Sequence, residues 1–394
     1  MTLAILQMAD TPQIESTAVM LRAAGYDEIK VCGPALRDAL VRAGCDTVLP
    51  VSSMIALGYD RLHPDFGEAR VEDVEHCSLF VEIKVRNVPR IVERFPRLAG
   101  KVLYWRVNGA QPEICPRGGD EVNLPCPIVT ACLWYGTERY RWGSAAQGVA
   151  CDDQAHHADC PKQEMGDQER PRELPDPEAW HRGLAASVRL CDTESNSYVF
   201  WPPYPRSKDY DGVDRRISTK DRYREPYCMC HSVRAWGYRQ IIDECKALGV
   251  AMYGNNSPAG QVSHAQVPGI AANALCLVHL KSVDCPGWAL YEAMLAGCPV
   301  VTGRLLNSRM LAYGLLEHGE TCLEFGVPAS QEYGRGDMAF DKCLEDIRAA
   351  LERLCDPAEN RRIGEAGRRR LNELMWREDR DGDSFRKFMA RHYG

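Results

Sequence analysis

Two carboxylates eight residues apart, Asp284 and Glu292, stand in the stretch VHLKSVDCPGWALYEAMLAGCPVVTG, residues 278–303. An apolar run over 274–280 predicts a buried strand, and a polar loop with Pro286 and Gly287 follows it. A short helix is expected over about 288–296, with Gly297 at its C′ position and a new buried strand opening at Pro299-Val300-Val301. A strand, a glycine-bearing loop and a helix N-terminus together seat an anionic ligand, because first-turn N–H groups lack an intrahelical partner. The plainer alternative is a generic strand–loop–helix–strand unit of any α/β protein.

Two other groups of residues have chemical potential. Cys151, His156, His157 and Cys160 are spaced C-x4-H-H-x2-C and would hold a structural zinc ion if all four converged. Structural zinc sites usually show paired ligands such as C-x2-C, which this segment lacks, so an exposed loop is the competing reading. Residues 205–224 carry Arg206, Lys208, Arg215, Arg216, Lys220, Arg222 and Arg224, a candidate basic surface. It is either a solvated loop or a contact for a phosphate backbone.

The elements that must position these residues follow from length and rhythm. At 394 residues the chain fits two α/β domains of similar size. The first 51 residues read strand, helix, strand, helix, strand (3–8, 12–24, 29–32, 34–43, 47–51), a pattern of a parallel doubly wound sheet. Further strands are expected at 78–83, 102–106 and 125–135, with a helix at 88–94. Glu82, Lys84, Arg106 and Asn108 fall at strand ends, where ligands sit in such sheets. Residues 141–177 are polar and rich in Gly, Asp, Gln and Pro, an irregular insertion; 180–189 reads as a helix. Residues 198–204 (YVFWPPY), with two prolines after an apolar strand, lead into a second domain. There the rhythm restarts, with strands at 227–231, 250–253 and 274–280 and helices at 238–248, 266–273, 340–355 and 376–393.

Composition excludes several classes. No apolar run reaches the ~18 residues that span a bilayer, and MTLAILQMAD lacks a basic n-region, so no membrane partner and a cytoplasmic enzyme are expected. A net charge of −7 argues against a dedicated nucleic-acid module, though not against a local basic groove. The 18 cysteines lie mostly in apolar runs and read as reduced core residues.

The central stretch resembles the C-terminal signature of GT-B glycosyltransferases, especially retaining, family-4-like enzymes: an acid, seven residues, then a glutamate within E-x-F-G-x-x-x-x-E-A-M-A-x-G-x-P-V-V. Asp284, Gly287, Glu292, Ala293, Met294, Gly297, Pro299, Val300 and Val301 match. Asp284 stands where the family has Glu, and Pro286 where it usually has an aromatic. Asp356-Pro357 with Arg361, Arg362, Gly364, Glu365 and Ala366 resembles the family's D-P-x-x-R-R-x-G-E-A helix. The match covers roughly residues 226–371; the first half agrees in rhythm only.

The resemblance implies two Rossmann-like domains facing a cleft: an acceptor domain over 1–197, a nucleotide-sugar domain over 198–375, and a helix over 376–394 crossing back to the first. It implies a nucleotide-diphospho sugar as donor substrate and no required metal cofactor. Glu292 would receive the ribose hydroxyls and Asp284 the sugar hydroxyls, with N–H groups near Cys285, Gly287 and Trp288 holding sugar and phosphate. The family's diphosphate-binding Arg and Lys fall here on His231 and Trp236. Arg234, Arg239, Lys281 or Arg304 would then bring the positive charge. Asn108, Arg106, Arg216 and Arg222 are the acceptor-side candidates.

The compact size and unusual loops are similar to bacteriophage glycosyltransferases that decorate hydroxymethylated bases in DNA, which would place the protein in a host cytoplasm. The basic stretch and Trp105, Trp134 and Trp201 would then serve a DNA groove and an everted base. Small-molecule or cell-wall acceptors are the alternative, as are a nucleotide-sugar epimerase on the same scaffold and a catalytically dead binding protein.

Overall fold

The computed structural model describes residues 2–8, 11–45, 66–84, 87–106, 126–130, 197–200, 203, 210, 225–229, 239–254, 259–260, 262–280, 287–303, 315–325 and 340–394. The expected strand at 47–51, the insertion at 141–177 and the helix at 180–189 lie outside these residues. The chain forms two compact units, Met1–Pro205 with Met375–Gly394, and Arg206–Leu374.

In the first unit, β1 (Leu3–Gln7), β2 (Glu28–Cys32), β3 (Gly67–Ala69), β4 (Leu79–Glu82), β5 (Val102–Arg106), β6 (Ile128–Thr130) and β7 (Ser197–Val199) make one sheet. Its order is β3-β2-β1-β4-β5-β6-β7, with every pairing parallel. The strands are apolar on both faces because both are covered. Ala4, Leu6, Leu79, Val81, Leu103 and Trp105 pack with Ile14 and Leu21 of the Thr11–Ala23 helix and Phe385 of the Glu378–Tyr393 helix. Leu3, Ile5, Phe80 and Tyr104, the alternate residues, pack with Leu36 and Leu40 of the Pro34–Arg42 helix and Val88 and Ile91 of the Val88–Arg94 helix.

Strand β7 belongs to this sheet, and Tyr198 and Phe200 are in its core. The apolar residues before the proline pair form the sheet's last strand. The C-terminal helix is anchored on the same core. The Trp376 indole N–H donates to the Tyr198 hydroxyl at 3.2 Å, and the Tyr393 hydroxyl donates to the Val102 carbonyl at 2.8 Å.

The second unit carries β8 (Tyr227–Met229), β9 (Ala251–Tyr253), β10 (Leu277–His279), β11 (Val300–Gly303) and β12 (Leu323–Phe325), all parallel in the order β12-β11-β10-β8-β9. Its core joins Cys228, Val278, Val301 and Phe325 to Ile347, Leu354 and Ile363 from the helices Phe340–Leu354 and Pro357–Leu374. The Pro357–Leu374 helix lies hard against the Gly287–Leu295 helix and its turn. A Cβ on Gly364 would stand 1.9 Å from the Gly297 carbonyl oxygen, and one on Gly367 2.9 Å from the Met294 methyl. Gly297 has φ +69°, the left-handed C′ geometry that releases the chain into β11.

The buried Asn360 amide ties this helix down, donating to the carbonyls of Leu275 at 2.9 Å and Leu354 at 3.1 Å. Burial pushes the thiols of Cys32, Cys126 and Cys245 up to about 12 and Cys77 to about 11, so these cysteines are protonated and inert. No helix among the described residues is long and apolar enough to cross a membrane.

Candidate active site at two sheet switch points

In the second sheet the strand order reverses between β8 and β10: the chain leaves β8 for β9 on one side and returns to β10 on the other. Leu277 pairs with Tyr227, so these two strands lie side by side. Ligands of open parallel sheets sit outside the carboxyl ends at such a point. The segments that follow these strands, 230–238 and 281–286, lie outside the described residues, and with them His231, Arg234, Lys281, Asp284 and Cys285. Arg304, Asn108, Arg216 and Arg222 also lie outside, as do Cys151, His156, His157 and Cys160.

Gly287 opens the helix that follows β10. The half-buried Trp288 indole meets the Tyr291 ring edge-on, centroids 5.9 Å apart at 78°. Glu292, one turn from Trp288, is only 4 % exposed, and Leu290, Tyr291, Ala293 and Met294 around it are buried. Burying a carboxylate costs several kcal/mol unless hydrogen bonds compensate. Glu292 is the one charged residue of the Gly287–Leu295 helix. Arg239 opens the Arg239–Ala247 helix that follows β8 in the chain.

At the same sheet edge, His279 Nδ1 and Thr302 Oγ1 are 3.3 Å apart, joining the ends of β10 and β11. Sequence reading passed over this pair, although LVH and VVT each break an apolar strand with a polar residue.

In the first unit the order reverses between β1 and β4. Glu82 ends β4 fully buried, and its Oε1 accepts the Lys84 backbone N–H at 2.8 Å. Burial, opposed by hydrogen bonds from Lys84, Asn87 and Ile83, pushes its carboxyl up to about 8. Arg106 ends β5, two strands from the reversal. Trp105 corrects an expectation. It is 1 % exposed and packs edge-on to Phe200 at 5.6 Å and Phe385 at 6.3 Å, so it is a core residue and cannot stack on a base. Trp134 and Trp201 lie outside the described residues. Among the described residues no three His, Cys, Asp or Glu side chains stand together as a metal site.

No family model and no curated protein matches the chain. Solved structures do. Anabaena HepE (Alr3699), solved in complex with UDP and glucose, aligns with a TM-score of 0.50 at 10% identity over 99% of this chain and 98% of its own. An alpha-glucosyltransferase solved with UDP-glucose and DNA containing an abasic site aligns with a TM-score of 0.50 at 10% identity over 98% of both chains. At such identity the likeness speaks to the fold, which is GT-B: two Rossmann-like parallel-sheet units, with a C-terminal helix returned to the first.

Proposed function

We propose that the protein is a glycosyltransferase that moves a sugar from a nucleotide-diphospho sugar to an acceptor hydroxyl, with retention. The observation that carries the reading is Glu292, a carboxylate 4 % exposed in the helix that follows a switch-point strand. Ribose hydroxyls are the donors such an acceptor suits. Asp284 takes the sugar hydroxyls. The first-turn N–H groups of the Gly287–Leu295 helix, with Cys285 just before it, hold phosphate. Cations drawn from Arg234, Arg239, Lys281 and Arg304, with His231, stabilise the leaving diphosphate, where negative charge develops.

In the retaining step the acceptor oxygen bonds to the anomeric carbon on the face from which the phosphate departs. The sugar–phosphate bond breaks, and the acceptor proton passes to the departing phosphate oxygen, so no enzyme base is assigned. UDP-glucose is the first donor to test, since UDP accompanies glucose in one structural relative and UDP-glucose occurs in the other.

The favoured acceptor is a hydroxymethylated pyrimidine base in phage DNA. In support stand the DNA in the alpha-glucosyltransferase structure and the basic residues of 205–224, including Arg216 and Arg222. Small-molecule or cell-wall acceptors and an epimerase are the competing readings. Labelled UDP-glucose incubated with hydroxymethylcytosine or hydroxymethyluracil duplex, plain duplex and free polyols separates them. Label on modified duplex alone is the expected result. Label on polyols alone retires the DNA acceptor. Conversion of the donor sugar without any acceptor marks an epimerase.

A further inference from the structure

Strand β1 reads LAILQ and β4 reads LFVE: each ends an apolar run with one polar residue. Gln7 and Glu82 are direct register partners across the β1–β4 pair, where the strand order reverses. Side chains of register partners in a parallel pair project to the same face. Alternation puts both on the face of Leu3, Ile5 and Phe80, under the Pro34–Arg42 and Val88–Arg94 helices. Gln7 is 3 % exposed, yet neither its amide oxygen nor its amide nitrogen has a hydrogen-bond partner. Glu82 is 0 % exposed, and its Oε2 also has none. Three orphaned polar atoms thus belong to neighbouring register partners on one face of the sheet. Each unmet buried group is costly, and such groups in a native chain call for a bound water, ion or ligand group.

We propose that Gln7 and Glu82 form a hydroxyl-binding subsite at the switch point of the first sheet, which holds a neutral, polyhydroxylated or hydroxymethylated acceptor. This deepens the glycosyltransferase reading and rests on it. The amide supplies one donor group and one acceptor. The carboxyl, held protonated at neutral pH by its burial, adds an O–H donor. A hydroxyl, which both gives and takes a hydrogen bond, satisfies this set. A phosphate does not, because no cationic side chain hydrogen-bonds to either residue among the described contacts and a carboxyl faces the ligand. The other oxygen of Glu82 is already committed to the backbone of the β4 turn through Lys84. That contact fixes the side chain, leaving Oε2 available.

The test uses the full chain, UDP-glucose and the acceptor that the transfer assay selects, comparing wild type with Gln7→Leu and Glu82→Gln. Gln7→Leu is expected to raise the acceptor KM at least tenfold, leaving the donor KM and the slow hydrolysis of donor by water within twofold. Glu82→Gln preserves the oxygen that receives the Lys84 N–H and an N–H donor in place of the O–H. It should fold normally and keep the acceptor KM within threefold, whereas Glu82→Leu should match the Gln7→Leu loss. An unchanged acceptor KM in Gln7→Leu and Glu82→Leu overturns the subsite and leaves the transferase standing. A parallel loss of donor KM and melting temperature in both variants also overturns it, by assigning the pair to folding. Absence of turnover from any nucleotide sugar in the wild type instead removes the transferase reading, and the subsite with it.

Discussion

Glu292 and Glu82 are buried glutamates in different units, Glu82 at the end of a switch-point strand and Glu292 in the helix that follows one. In the proposed function the Glu292 side chain accepts hydrogen bonds from the donor nucleotide. Glu292→Gln should weaken donor affinity roughly 10–100-fold, the range for a hydrogen bond to a charged group, with the fold intact by circular dichroism. For Glu82 the consequence is a pH dependence. Its carboxyl ionises near 4.5 in the unfolded chain and near 8 in the folded one, with burial as the largest cause and Lys84, Asn87 and Ile83 opposing it. Cys32 and Cys126 also feel its charge. The folded chain therefore binds the extra proton between those values. The stability this group contributes is fully present below about 4.5 and is lost as pH rises through 8. Calorimetric scans of Glu82→Gln should match wild type at pH 5 and melt several degrees higher at pH 9. Parallel profiles would mean that Glu82 is ionised throughout.

The contact between the Gly287–Leu295 and Pro357–Leu374 helices holds the proposed donor-side residues in place. Gly364→Ala drives a methyl into the Gly297 carbonyl, a backbone atom that cannot rotate away. It should cost ~3 kcal/mol or more in chemical denaturation. Gly367→Ala meets the Met294 methyl, the end of a flexible side chain, and the Thr321 carbonyl at 3.1 Å, so it should cost less. Equal costs would mean that the Gly297 turn yields as easily as a methionine. Gly364 was legible as part of the D-P-x-x-R-R-x-G-E-A resemblance and Gly367 was not, but the reason for both is geometric. Helix ends were readable in the same way, because Gly25, Gly44, Gly249 and Gly297 all adopt positive φ where the apolar period stops. Strand β3 escaped notice because GEA has no apolar run; among the described strands it pairs with β2 alone. Trp105 misled because an aromatic near a strand end reads as exposed. Its alternation with Leu103 puts it in the core. Glu292 was legible from its spacing to Asp284 and from the signature resemblance, whereas nothing in the sequence singled out Gln7. Only the pairing of β1 with β4, remote in sequence, shows that it meets Glu82.

At the scale of the molecule, the two units share one chain but not one core. The first is completed by the last twenty residues, whose Trp376, Phe385 and Phe388 enter the cluster containing Trp105 and Tyr198. Phe385→Ala should therefore destabilise the first unit by ~3–5 kcal/mol and leave nucleotide binding by the second within a factor of two. Loss of both together would mean that the units fold as one. The proposed transferase activity requires a nucleotide site in the second unit that includes Glu292. Isothermal titration of UDP into wild type and Glu292→Gln tests this most directly. Saturable one-site binding to wild type and at least tenfold weaker binding to the variant are expected. Equal affinity of the two proteins, or no binding of any nucleoside diphosphate to wild type, would contradict it.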